Sequence, residues 1–92
     1  MRHARSQALD DLEDLLTALR PLPGLKEKSR GIFYRRATAF LHFHEDPEGL
    51  FADIRCGEEF VRYRVTTAKE RTVFLTVVRS SLGSASAGGP YD

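Results

Sequence analysis

Residues 37–55 read ATAFLHFHEDPEGLFADIR, two runs of β-branched, aromatic and small residues either side of Asp46-Pro47-Glu48-Gly49. Runs of that composition suit a pleated, half-buried surface. Pro47 pre-sets a turn dihedral and Gly49 is free to take positive φ, so the four residues make the loop of a β-hairpin. That loop sets the register. Glu45 lies opposite Leu50, Phe43 opposite Ala52 and Leu41 opposite Ile54, while His44 faces Phe51, His42 faces Asp53 and Phe40 faces Arg55. Because side chains alternate along a strand, the hairpin has two faces of different composition. Ala39, Leu41, Phe43, Leu50, Ala52 and Ile54 carry no polar group and must be covered. Thr38, Phe40, His42, His44, Phe51, Asp53 and Arg55 form a mixed aromatic, imidazole and charged face, where any legible function belongs.

Upstream, Ser6 is the expected N-cap of a helix in which Leu9, Leu12, Leu15, Leu16 and Leu19 recur at helical spacing. Asp10, Asp11, Glu13 and Asp14 lie early in it and on its outer face, favourably near the positive end of the helix dipole. Pro21 and Pro23 stop it. The leucine stripe is expected to face the core. Residues 1–5 read as a frayed basic end, and Lys26 to Arg30 as a charged connection. Ile32-Phe33-Tyr34 forms a short strand that Arg35-Arg36 turns into the hairpin. Neither arginine suits a two-residue primed turn, which points to a longer or bulged connection.

Downstream of Cys56-Gly57, residues 60–65 alternate again, with Val61, Tyr63 and Val65 on one face and Phe60, Arg62 and Arg64 on the other. Thr67-Ala68-Lys69-Glu70 matches the capping box that opens a helix. Val73, Phe74, Val77, Val78 and Leu82 follow at helical spacing, and Gly83 is the expected C-terminal cap. The β-branched content of residues 72–78 would also suit a strand. Residues 84–92 are small, Gly-containing and polar, and are expected to be a disordered tail. The expectation is therefore one α+β domain over residues 1–83, with two layers: a four-stranded antiparallel meander and an N-terminal and a C-terminal helix on one face. The other face is left to solvent, a ligand or a second subunit.

Ninety-two residues make one domain with a modest core, and a formal charge of +1 argues against partners held by bulk electrostatics, whether nucleic acid or an anionic membrane. No apolar run approaches the ~20 residues that span a bilayer. Acidic residues begin at Asp10, which does not fit a signal peptide. A cytoplasmic location is the expectation. Cys56 is the single cysteine, so no internal disulfide forms, and it reads as a turn thiol.

Leu22-Pro23-Gly24 follows the first helix, and a short strand then leads to AFLHFH at residues 39–44 and GLFADI at residues 49–54. This order resembles the small uncharacterised bacterial proteins classed as luciferase-like domains. Their recurring features are a Leu-Pro-Gly segment, a paired-histidine strand and a Gly-Leu-Ala-Asp-Ile-like strand. The order of elements is also similar to the MmcQ/YjbR-like proteins, which have a frataxin-like α+β architecture. Both groups end in a strand carrying tryptophan, whereas this chain has none. Neither group has an established activity, so what the resemblance implies is a fold.

Three chemistries fit the polar face. His42 and His44 with Asp53 opposite form the two-imidazole, one-carboxylate set that holds a divalent metal such as iron or zinc. Alternatively the histidines are plain surface residues, with His42 hydrogen-bonded to Asp53. Phe40, Phe51, Arg55, Arg62 and Arg64 make a platform for an anionic small molecule, a protein or, less favoured because Asp53, Glu58 and Glu59 dilute the charge, a nucleic acid. The same residue types suit a homodimer interface. The chain shows no nucleophile with an adjacent base and no phosphate-cradling glycine loop, so a binding or interaction module without catalysis is the expectation, with the metal site as its alternative.

Overall fold

The structure, a computed structural model, describes residues 1–87, with side chains over residues 1–83. In chain order its elements are β1 (Arg2–His3), α1 (Ser6–Asp11), α2 (Glu13–Leu19), β2 (Lys26–Ser29), β3 (Ile32–Arg35), β4 (Thr38–Asp46), β5 (Gly49–Cys56), β6 (Glu59–Arg64) and α3 (Ala68–Ala87). The sheet is antiparallel in the order β2-β3-β4-β5-β6, and β1 pairs with the end of β4 that β3 does not reach. This is an α+β fold. Among the described residues no helix is long and apolar enough to cross a membrane.

The β4–β5 hairpin has the register that the Asp46-Pro47-Glu48-Gly49 loop requires, with Leu41 opposite Ile54, His42 opposite Asp53, Phe43 opposite Ala52 and His44 opposite Phe51. Asp46 and Gly49 close the ladder, and the Glu48 N–H donates to Asp46 Oδ1 at 2.7 Å, the Asx turn that such a loop favours.

The sheet has six strands where the sequence suggested four. Lys26–Ser29 pairs with β3 instead of forming a loose connection. Its charges are compatible with pairing because it is an edge strand whose side chains mostly reach solvent, and charge at an edge discourages further pairing. Glu27 also accepts from Arg20 Nε at 2.6 Å and from the Gly31 N–H at 2.9 Å, which ties this edge to the preceding helix. The N-terminal residues are paired rather than frayed. Arg2 lies opposite Glu45 and His3 opposite His44, and the Ala4 N–H donates to the Phe43 carbonyl at 3.0 Å. A strand this short has no periodicity to read.

Between β3 and β4 the loop is two residues, Arg36 and Ala37, and Arg36 takes φ of +60°. The irregularity foreseen there lies one step further on. Phe33 pairs with Leu41 and Tyr34 with Ala39, so Phe40 is the extra residue of a bulge. The bulge re-aims it. Phe40, expected beside the histidines, is instead buried in the apolar core with Arg35 5.6 Å over its ring.

The core gathers Leu9, Leu12, Leu15, Leu16 and Leu19 from the first helical segment, Phe33, Leu41, Phe43, Ala52 and Ile54 from the sheet, and Phe74, Val78 and Leu82 from α3. The first segment is broken at Leu12 and begins after Arg5, which makes no side-chain cap; Ser6 is already helical. At α3 the capping box forms in full. The Glu70 N–H donates to Thr67 Oγ1 at 3.1 Å, and the Thr67 N–H donates to Glu70 Oε1 at 2.9 Å. α3 runs through Gly83 to Ala87 instead of stopping at the glycine. One helical glycine costs only about 1 kcal/mol against alanine, and no proline intervenes before Pro90. Of the expected tail, residues 84–87 are therefore helical, and residues 88–92 lie outside the described residues.

Candidate metal centre on the open sheet face

With the helices on one side of the sheet, the hairpin alternation leaves His42, His44 and Asp53 on the other. Asp53 is 6% exposed, the one charged residue among the buried positions described. Its carboxylate is where the neighbouring strands converge. Oδ2 lies 3.4 Å from His42 Nε2 and 3.1 Å from His44 Nε2. From β6, Arg62 donates through Nε to Oδ1 at 2.7 Å and through a terminal nitrogen to Oδ2 at 2.8 Å, a two-pronged clasp. One ligand atom from each of His42, His44 and Asp53 lies within 4.8 Å of the other two. Around a tetrahedral ion with bonds of ~2.0–2.1 Å, neighbouring ligand atoms stand about 3.4 Å apart. The two histidine–carboxylate separations already match that spacing.

Burial lowers the pKa of both His42 and His44, and the attraction of Asp53 only partly offsets it. Both imidazoles are consequently neutral at pH 7, the form that binds metal. For Asp53, burial pushes the pKa up, but the hydrogen bonds and charge of Arg62 together with the two imidazoles outweigh it and leave the carboxyl below its ordinary value. Arg62 is held charged by the same contact. A carboxylate that stays ionised beside two neutral imidazoles is a donor set for a cation.

One residue of this neighbourhood escapes a reading of the sequence. His3, carried in by β1, sets its ring 4.7 Å from that of His44 and 5.6 Å from that of His42. Its approach depends on pairing across 41 positions, which no local pattern announces. Phe60 closes the other flank, its ring edge-on to His42 at 4.8 Å. The alternation of β6 put it on this face, so that signal was present. Of the other expected residues, Phe51 is half-buried between His44 and Arg64 in the ladder. Arg55 turns aside, donating through Nε to the Ala39 carbonyl at 2.7 Å and lying 4.6 Å over the Phe60 ring. Arg64 reaches toward Thr66 and Glu70 at the start of α3. Phe40, in the core, takes no part.

No family model, no curated protein and no solved structure matches this chain.

Proposed function

We propose that the protein binds a divalent transition metal through His42, His44 and Asp53, and that the open sheet face around them is the working surface of a small binding module. The observation that carries this reading is the convergence of both imidazole Nε2 atoms on one oxygen of a buried carboxylate. Two imidazoles and a carboxylate suit zinc or iron(II), and three protein ligands leave a position open to a further ligand. Neutral histidines and an ionised Asp53 need shed no proton to accept the ion, except the N–H protons that move between ring nitrogens. Arg62 would keep Oδ1 while Oδ2 turns to the metal, orienting the carboxylate as outer partners of metal ligands do. Its positive charge works against the cation, which favours modest affinity.

The competing reading is a purely structural network, and one observation favours it. Among the described residues no buried side-chain polar atom lacks a partner, so the cluster is satisfied as hydrogen bonds alone. Thermal unfolding separates the two. A metal at a hundred times its dissociation constant adds about 2.7 kcal/mol to stability, which raises the melting temperature of a domain this small by about 10 °C or more. The expected result is such a rise with zinc or iron(II) in the wild type, reversed by chelator and absent in His44→Ala and Asp53→Asn. No rise at saturating metal, or an equal rise in the variants, would leave the cluster structural.

A further inference from the structure

Away from the histidines, the bulge at Phe40 has a second effect. Where the sheet passes under the C-terminal half of α3, a groove of about 650 Å³ opens between the β3–β4 turn, the end of β5 and the helix. That volume falls in the range of about 300–1,000 Å³ usual for sites that take one small organic ligand. Its floor is apolar: Phe40, Ile54, Val61, Tyr63 and Val77. Val61 is 40% exposed, a branched aliphatic side chain on the helix-covered face that nothing among the described residues closes over.

The head of the groove is cationic. Arg35, Arg36 and Arg55 all line it, and none of the three pairs with a carboxylate among the described residues. No acidic residue lines it; Glu59, opposite Cys56 in the ladder, shares that sheet face but stands outside. Most of the other arginines find acids: Arg20 and Arg30 share Glu13, Arg62 holds Asp53 and Arg71 meets Asp14, while among the described residues Arg5 and Arg79, apart from the groove, do not. Three guanidinium groups without a carboxylate partner thus gather at one end of an apolar trough, in a chain whose formal charge is only +1. Arg36 is held in place by the fold, since it occupies the positive-φ position of a two-residue turn.

The geometry points to a binding site for an amphipathic carboxylate, a medium-chain fatty acid in chemical class. Its head would take the planar, two-pronged hydrogen bonds that guanidinium groups offer a carboxylate, and its tail would lie along Phe40, Val61, Tyr63 and Val77. A neutral chain would gain only the apolar contacts and a short acid only the charge, so the site selects for both together. The site is separate from the histidine cluster and is tested with chelator present, independently of any metal.

Titration calorimetry with sodium octanoate and sodium decanoate, against 1-octanol, is the decisive experiment. The expected result is saturable one-to-one binding of both acids, with affinity rising about two- to fourfold per added methylene, and much weaker binding of the alcohol. The double variant Arg35→Gln/Arg36→Gln, at the end of β3 and in the turn after it, should lose at least tenfold in affinity for the acids, while Lys69→Gln at the far end of α3 should lose none. Backbone amide shifts should centre on Tyr63 and Val77. Absence of saturable binding, equal binding of octanol and octanoate, or an unchanged affinity in the arginine variant would each overturn the proposal. A melting temperature within a degree or two of wild type verifies that the arginine variant is folded.

Discussion

Asp53 concentrates the chemistry of the open face into one side chain, because three neighbours direct N–H groups at its two oxygens. The consequence testable without any metal is a pH dependence. Burial holds His42 and His44 below their ordinary value of 6.5. Between that value and the lower folded ones, the unfolded chain binds more protons than the folded protein, so stability falls as the pH falls. Asp53 has the opposite origin and a later onset. Its folded pKa is below the ordinary 3.8, so the stability it contributes is present above that value and is lost only as the pH drops through the folded one. The melting temperature should therefore be level from pH 8 to 7 and decline below about 6.5, and the decline should shrink in a His42→Gln/His44→Gln variant. A wild-type profile that stays flat to pH 5 would mean that the imidazoles titrate as they do in water.

Among the elements, the β4–β5 hairpin depends on its closing glycine for more than a turn. Gly49 has φ of +141°, and a Cβ there would collide with Thr66 Oγ1. That hydroxyl is committed, since it accepts from the Leu50 N–H at 2.9 Å and lies just before α3. Gly49 thus sets the hairpin end and lets the start of the last helix dock against it. Gly49→Ala should cost about 1–3 kcal/mol, read as a lower urea midpoint with an unchanged slope. Thr67→Ala, which removes only the helix cap, should cost about 1 kcal/mol. A Gly49→Ala loss no greater than that of the cap variant would show that the loop relaxes around the added methyl group.

For the molecule as a whole, the two helical segments and the sheet share one small core, so a single large cavity threatens all of it. Phe74 is fully buried and meets both Phe43, at 6.5 Å between ring centroids, and Tyr63, at 5.5 Å. It bridges α3 to two strands. Phe74→Ala should cost about 3–5 kcal/mol, a large part of the ~5–15 kcal/mol that holds a small domain together. The expected outcome is a loss of cooperative unfolding near room temperature, with near-ultraviolet circular dichroism fading before the far-ultraviolet signal. A variant that still unfolds in one sharp step above 50 °C would place the weight of the core elsewhere, on the leucine stripe.

The hairpin register, its apolar face from Leu41 onward, the leucine stripe, the capping box of α3 and the placing of His42, His44 and Asp53 on one face were all legible in the residues. Each follows from a local rule: a turn residue with a fixed dihedral, a period of 2 or 3.6, a hydroxyl three residues before a carboxylate. What those rules could not reach depends on partners distant in sequence. Arg2–His3 and Lys26–Ser29 are strands because β4 and β3 offer them open edges, not because their own side chains prefer extension. Phe40 left the polar face because a bulge inserts one residue, and a shift of one residue reverses the face of a strand side chain. The two-pronged hold of Arg62 on Asp53, the approach of His3, and the arginine-headed groove under α3 arise the same way. Local sequence determined which residues alternate and where the chain turns, while tertiary packing decided which edges are filled and which charges meet.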